Sequence, residues 1–162
     1  MNFTDIQKYF RAVQICEIEA EYDYSFEPCP SSPYSICSFK IQEKGEYTFS
    51  VSQKGNRFFR RDAGYKYSPA SLALFRVSTV GGKVGYHYMC HQKKDCKRDT
   101  YLKHSELELG DYVLLASVEW HQETKDKSFV VTSYGIGPVE FEDLTDSIDK
   151  RELELAILKN GQ

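Results

Sequence analysis

The sequence predicts a mainly β chain: an antiparallel β-sandwich of about eight strands, framed by a short helix at each end. Three observations predict it. Aromatic residues make up 14% of the 162 residues, with twelve tyrosines and ten phenylalanines against a single tryptophan, and such side chains favour pleated, half-buried surfaces. From Tyr34 to Leu144 the dominant apolar period is two, the period of a strand. The runs are short, separated by glycines and free of intervening helical patterns, which points to an antiparallel sandwich.

The elements follow in order. Thr4 and, three residues later, Gln7 form a capping-box signature, and Ile6, Tyr9, Phe10 and Val13 return at helical spacing, so a short helix is predicted near residues 5–14. Ser31 to Pro33 closes this N-terminal zone, residues 1–33. The sandwich zone, 34–144, opens with a strand at 34–41. Next, Tyr47, Phe49 and Val51 alternate with Thr48, Ser50 and Ser52, and Leu72 and Leu74 with Ala73, Phe75 and Val77. Further strands are predicted at 84–90, 98–104, 127–134 and 138–142. In the longest run, Tyr112, Leu114, Ala116, Val118 and Trp120 share one side. The breakers are Gly45, Gly55, Gly64, Gly81-Gly82, Gly110 and Gly135-Ile136-Gly137-Pro138. The last of these lies between strands instead of opening a helix, so it reads as a turn and not as a dinucleotide-binding loop. In the third zone, 145–162, Thr145 or Asp146 can cap a helix running through Asn160, with Gly161 as its stop. Ile148, Leu153, Leu155, Ala156, Ile157 and Leu158 supply an apolar face, which either packs on the sandwich or docks onto another protein; Ile148, Leu155 and Leu158 are the candidate partner contacts.

Apolar residues are 41% and charged residues 28% of the chain, values of an ordinary globular domain, and the length suits one domain. Lysine plus arginine number 21 against 24 acids, net −3 at pH 7, which removes a global electrostatic case for nucleic acid. The longest aliphatic stretch, Val113 to Ala116, falls far short of a membrane span. The five cysteines (Cys16, Cys29, Cys37, Cys90, Cys96) are odd in number and irregularly spaced. With no signal-peptide pattern, they are expected to be free thiols in the cytoplasm, and the Asn2-Phe3-Thr4 sequon a chance match.

Catalysis by cysteine requires a thiolate at a helix N-terminus with an imidazole in reach, and no such pattern surrounds any of the five; Cys16 and Cys37 read as small core residues. No catalytic residue is assigned. His87, Cys90, His91, Cys96 and His104 fall within eighteen residues, yet only His87 and Cys90 have zinc-ligand spacing, and Cys90 and His91 would face opposite sides of a strand. No metal site is assigned. Calcium would require more carboxylates than Glu123 and Asp126 in the loop after Trp120, so no cofactor is expected. Two basic clusters are more informative: Lys54, Arg57, Arg60, Arg61 and Lys66 in one turn-rich stretch, and Lys93, Lys94, Lys97 and Arg98 in another. The first is the candidate contact for an acidic partner or for anionic lipid, with Phe58-Phe59 beside it as a core anchor for the loop.

The ordered runs resemble a known family. Gly45-Glu-Tyr-Thr-Phe-Ser-Val-Ser-Gln53, then Arg57 to Arg61, then Ser71-Leu-Ala-Leu-Phe-Arg-Val77 resemble the first half of the calpain-type β-sandwich, the domain that follows the protease core in calpains. Leu107-Glu-Leu-Gly-Asp-Tyr-Val-Leu-Leu115 and Phe129-Val-Val-Thr-Ser-Tyr134 resemble its second half. Phe3-Thr-Asp-Ile-Gln-Lys-Tyr-Phe10 through Val13-Gln-Ile-Cys16 is similar to the exit from the protease core, so the resemblance covers about residues 3–143. It implies a C-two-like sandwich that contacts neighbouring domains and, in some members, binds phospholipid or calcium through charged loops. The protease core is absent from these residues, and the 121–128 loop, with two acids, two lysines and a histidine, lacks an acid-rich calcium cluster. The expected function is a non-catalytic protein-interaction or scaffold module in a larger cytoplasmic assembly, with the cytoskeleton or cilium implied by the family's associations. The alternatives are a regulatory part of a calpain-like cysteine protease and a peripheral anionic-phospholipid-binding module.

Overall fold

The computed structural model describes residues 21–29, 32–59, 64–121 and 127–160. Among them are nine strands, β1 (Asp23–Cys29), β2 (Tyr34–Ile41), β3 (Gly45–Gln53), β4 (Ala70–Val80), β5 (Lys83–Asp95), β6 (Asp99–Leu107), β7 (Gly110–Val118), β8 (Phe129–Gly135) and β9 (Glu142–Asp143), and one α-helix, α1 (Lys150–Asn160). They form a β-sandwich. One sheet has the order β1-β8-β3-β6, the other β5-β4-β7-β2-β9, and the neighbouring strands run antiparallel.

The period-two pattern sets which residues meet between the sheets. Tyr47, Phe49 and Val51 of β3 join Phe39 and Ile41 of β2, Leu72 and Leu74 of β4, and Tyr112, Leu114 and Ala116 of β7 in one buried cluster. Across the interior the Phe39 ring lies 5.1 Å from Phe49 of the facing sheet, and within its own sheet 5.8 Å from its register partner Tyr112. The two buried tyrosines satisfy their hydroxyls in the same way: Tyr47 donates to the Glu43 carbonyl at 2.9 Å and Tyr112 to the Glu108 carbonyl at 2.8 Å, so large apolar rings are buried without an orphaned polar tip.

A second cluster lies outside the five-stranded sheet. Phe75, Val113, Leu115 and Ile36, on the opposite face of their strands, pack with Leu153 of α1. This explains why β7 reads Tyr-Val-Leu-Leu-Ala, apolar at consecutive positions: it is central and covered on both faces. The β4–β5 hairpin turns through Gly81 and Gly82 at φ +60° and +78°, the two successive positive φ angles of a type I′ turn.

Three expectations need correction. Strand pairing starts upstream of residue 34, since Asp23–Cys29 pairs with β8 over its full length. The 138–142 strand reduces to a two-residue pairing of Glu142 and Asp143 with β2. The C-terminal helix begins at Lys150, not at Thr145 or Asp146. Thr145 is engaged elsewhere: its hydroxyl accepts the Ile36 N–H at 3.0 Å and donates to the Asp143 carboxylate, while the Leu144 N–H donates to the Ile36 carbonyl at 2.7 Å. Asp149 caps the helix instead, its carboxylate accepting the Arg151 N–H at 2.9 Å. The helix predicted at 5–14 lies outside the described residues.

Candidate functional site

At one end of the sandwich, the turn after β3 and the turn between β5 and β6 face the starts and ends of β8 and β1. Between them is a cleft of about 550 Å³. Its floor is Cys29, Phe129 and Val130, and its rim carries Lys54, Arg57 and Arg98. The two basic clusters, separate in sequence, thus meet at one place, each contributing part.

Gln53 builds this meeting. Its alternation with Tyr47, Phe49 and Val51 turns it inward, where it is buried, and its amide is fully used. Nε2 donates to the Ser68 carbonyl at 2.7 Å, Oε1 accepts the Ser68 N–H at 2.9 Å, and the Gln53 backbone N–H donates to the Arg98 carbonyl at 2.8 Å. One residue therefore ties the end of β3 to the segment entering β4 and to the turn that bears Arg98. A polar residue at an inward position was the readable signal for it; its partners were not readable.

The rim side chains are arranged for contact. The Arg57 guanidinium lies 5.4 Å from the centre of the Phe58 ring, and the Lys54 ammonium 5.7 Å from that of Phe59, cation–π distances. Phe58 does not anchor the loop in the core: it is 64% exposed, and Phe59 stacks on Tyr65 at 3.9 Å. Arg98 forms an ion pair with Asp99 at 2.7 Å, which holds the guanidinium pKa up further. In the second cluster Lys94 pairs with Glu119, and Lys97 with Asp95 at 2.7 Å. Lys66 is exposed and stands apart from the cleft lining. Arg60, Arg61, Cys16, Glu123 and Asp126 lie outside the described residues.

The thiols of Cys29, Cys37 and Cys90 and the imidazoles of His87, His91 and His104 are held in local contacts, while Cys96 is exposed. Burial pushes the Cys37 thiol up to about 12 and raises those of Cys29 and Cys90, outweighing the neighbouring Ser35 hydroxyl at the first two, so these groups are neutral at physiological pH, the opposite of a nucleophile. A bulge at Met89 places Tyr88 opposite Phe75 and His91 opposite Ala73, both on the outer face, where the Tyr88 hydroxyl and His91 Nδ1 are 2.5 Å apart. Cys90 turns to the inter-sheet core. His87 Nε2 bonds to the Ser78 hydroxyl at 2.6 Å, and His104 Nδ1 accepts the Glu106 N–H at 3.3 Å. Among the described residues no three His, Cys, Asp or Glu side chains come together in a metal-holding group.

Of the helix positions singled out as partner contacts, Ile148 lies in the turn before α1 and packs on the outer cluster with Leu153, Ala156 and Ile157. Leu155 and Leu158 point away, 54% and 69% exposed. The helix face that docks is thus mainly engaged with the chain's own sheet. No family model matches the chain, and no curated protein matches it.

Proposed function

We propose that this chain is a non-catalytic interaction module, a calpain-type sandwich that takes an acidic segment of a protein partner at the basic end of its sheets. One observation carries the reading: Lys54, Arg57 and Arg98, drawn from two sequence-distant turns, stand around one cleft with an apolar floor and an exposed phenyl ring. Carboxylates flanking an apolar side chain fit that combination, the charges meeting the rim and the apolar group the floor. The raised thiols of Cys29, Cys37 and Cys90 support binding over chemistry at those three positions. A cytoplasmic scaffold, with a cytoskeletal or ciliary assembly as its setting, is the biological form of this proposal.

The test is fluorescence anisotropy of a labelled glutamate- and phenylalanine-containing peptide against the full chain. Binding is expected at low salt, weakening steeply as salt rises, and falling about tenfold in the Lys54→Gln/Arg57→Gln variant. Undiminished binding by that variant, or no binding at low salt, rejects the site. Sedimentation with phosphatidylserine vesicles in preference to the peptide would move the same residues to the lipid-binding alternative.

A further inference from the structure

Helix α1 leaves part of the five-stranded sheet's outer face uncovered. Leu153, Ala156 and Ile157 pack in the cluster that includes Ala73, Phe75 and Leu115. Further along β4 and β7, Ser71 stands opposite Ser117, which stands opposite Tyr34 on β2. Two serines and an alanine do not fill the space between helix and sheet, and a groove of about 870 Å³ remains, within the roughly 300–1,000 Å³ of small-molecule sites.

Its rim is basic. Lys93 and Lys94 project from β5, Lys127 precedes β8, and Lys150 opens α1. Lys94 is paired with Glu119 and Lys150 with Glu154, the latter at 3.0 Å. Lys93 and Lys127 enter no ion pair among the described residues. Four lysines against two glutamates leave the groove with two positive charges in excess.

We propose that this groove binds a long-chain carboxylate, its aliphatic body along Ala73, Leu115 and Ile157 and its head held by Lys93 and Lys127. Three features favour this occupant over a peptide or a phosphate-specific ligand. The floor strands β4 and β7 are interior to their sheet, β5 at the rim being its edge strand, so the floor's backbone is already paired and offers an extended peptide no ladder to join. Lysines are point charges without the planar fork that selects bidentate groups, and they ask only for one anionic head. Apart from Trp120, the apolar residues lining the groove are aliphatic.

Trp120 lines the groove and is the chain's one tryptophan, so its fluorescence reports occupancy. Laurate, titrated below its micelle concentration, is expected to give a saturable one-to-one change. Dodecanol and dodecyltrimethylammonium should bind at least about tenfold more weakly, and Lys93→Gln/Lys127→Gln should lose about tenfold for laurate while leaving dodecanol unaffected. Ser117→Leu, which fills the floor, should abolish the response; its thermal midpoint by circular dichroism checks that it folds, and the two lysine changes test the proposal independently on the surface. No saturable response to laurate, equal affinity for the three amphiphiles, or full binding by the lysine variant overturns the proposal. So does binding seen only with anionic vesicles, or displacement of laurate by the acidic peptide that probes the neighbouring cleft lined by Lys54, Arg57 and Arg98.

Discussion

Gly135 shows how closely a single position is constrained in this interior. A Cβ there would lie 2.3 Å from Tyr47 Cδ1 and 2.7 Å from the Glu46 carbonyl oxygen. The ring cannot retreat, because it is fully buried and its hydroxyl is fixed on Glu43. Gly135→Ala should therefore cost about 3 kcal/mol, the upper end of ordinary overpacking, in urea denaturation. Gly55→Ala, whose Cβ would meet nothing closer than 3.7 Å, should stay within about 0.5 kcal/mol. Gln53 fails by the opposite route. Gln53→Leu keeps the volume but strands the N–H and C=O of Ser68, itself fully buried. An unsatisfied buried group costs about 1–3 kcal/mol, so a loss of about 2–4 kcal/mol is expected, together with weaker binding of acidic peptide as the two turns lose their common tie. A Leu variant as stable as the parent would show that this amide does not organise the cleft. The inward parity of Gln53 is legible in the sequence, whereas Ser68, fifteen residues on, is brought to it only by the fold.

At the scale of the element, α1 separates burial from exposure within one turn. Leu153→Ala removes a fully buried side chain and should cost about 2–4 kcal/mol. The double change Leu155→Glu/Leu158→Glu should leave the thermal midpoint almost unchanged, since both side chains are already in water. If instead the second variant unfolds the chain and the first does not, the helix face is assigned wrongly. The strands carried by a sustained apolar run or an apolar–polar alternation were legible: β2, β3, β4, β6, β7 and β8 coincide with predicted runs to within a few residues. β1 was not, for a physical reason. Its inward residues are Ser25, Glu27 and Cys29, while Tyr24 and Phe26 point out and are exposed, so its alternation is reversed and its acids and Pro28 read as linker. The 138–142 run misled in the other direction: Val139 is buried and Phe141 packs on the core, but burial without ladder pairing is not a strand. The helix start was displaced because the capping residue visible in the sequence, Thr145, is recruited by β2, a long-range partner that local pattern does not reveal.

Taken as a whole, the molecule separates its charge from its core, and its pH response should reveal the core alone. The acids and bases form pairs at the surface; Lys44, bridging Glu106 and Glu108 at 2.9 and 2.8 Å, is raised by them but is solvated and contributes little. The thiols are different, because burial raises Cys29, Cys37 and Cys90 above their ordinary value of 9.0, Cys37 to about 12. Below about pH 9 the thiol is protonated in both the folded and the unfolded chain, so its contribution to stability is complete and constant. Above that, the unfolded chain releases a proton that the folded chain keeps. Stability then falls with pH, by up to about 1.4 kcal/mol per unit for each proton retained, until the folded Cys37 thiol itself ionises near 12. Tyr47 and Tyr112, raised above 10.0 by burial, act in the same direction at higher pH. Urea midpoints should accordingly show no thiol-dependent change between pH 7 and 8 and drop by pH 10, and Cys37→Ala should shallow that drop by one proton's share. A midpoint that holds steady or climbs through pH 10, or a slope that Cys37→Ala leaves untouched, would mean that Cys37 is not held in the dry space between the sheets, and the packing of the two layers would have to be redrawn around it.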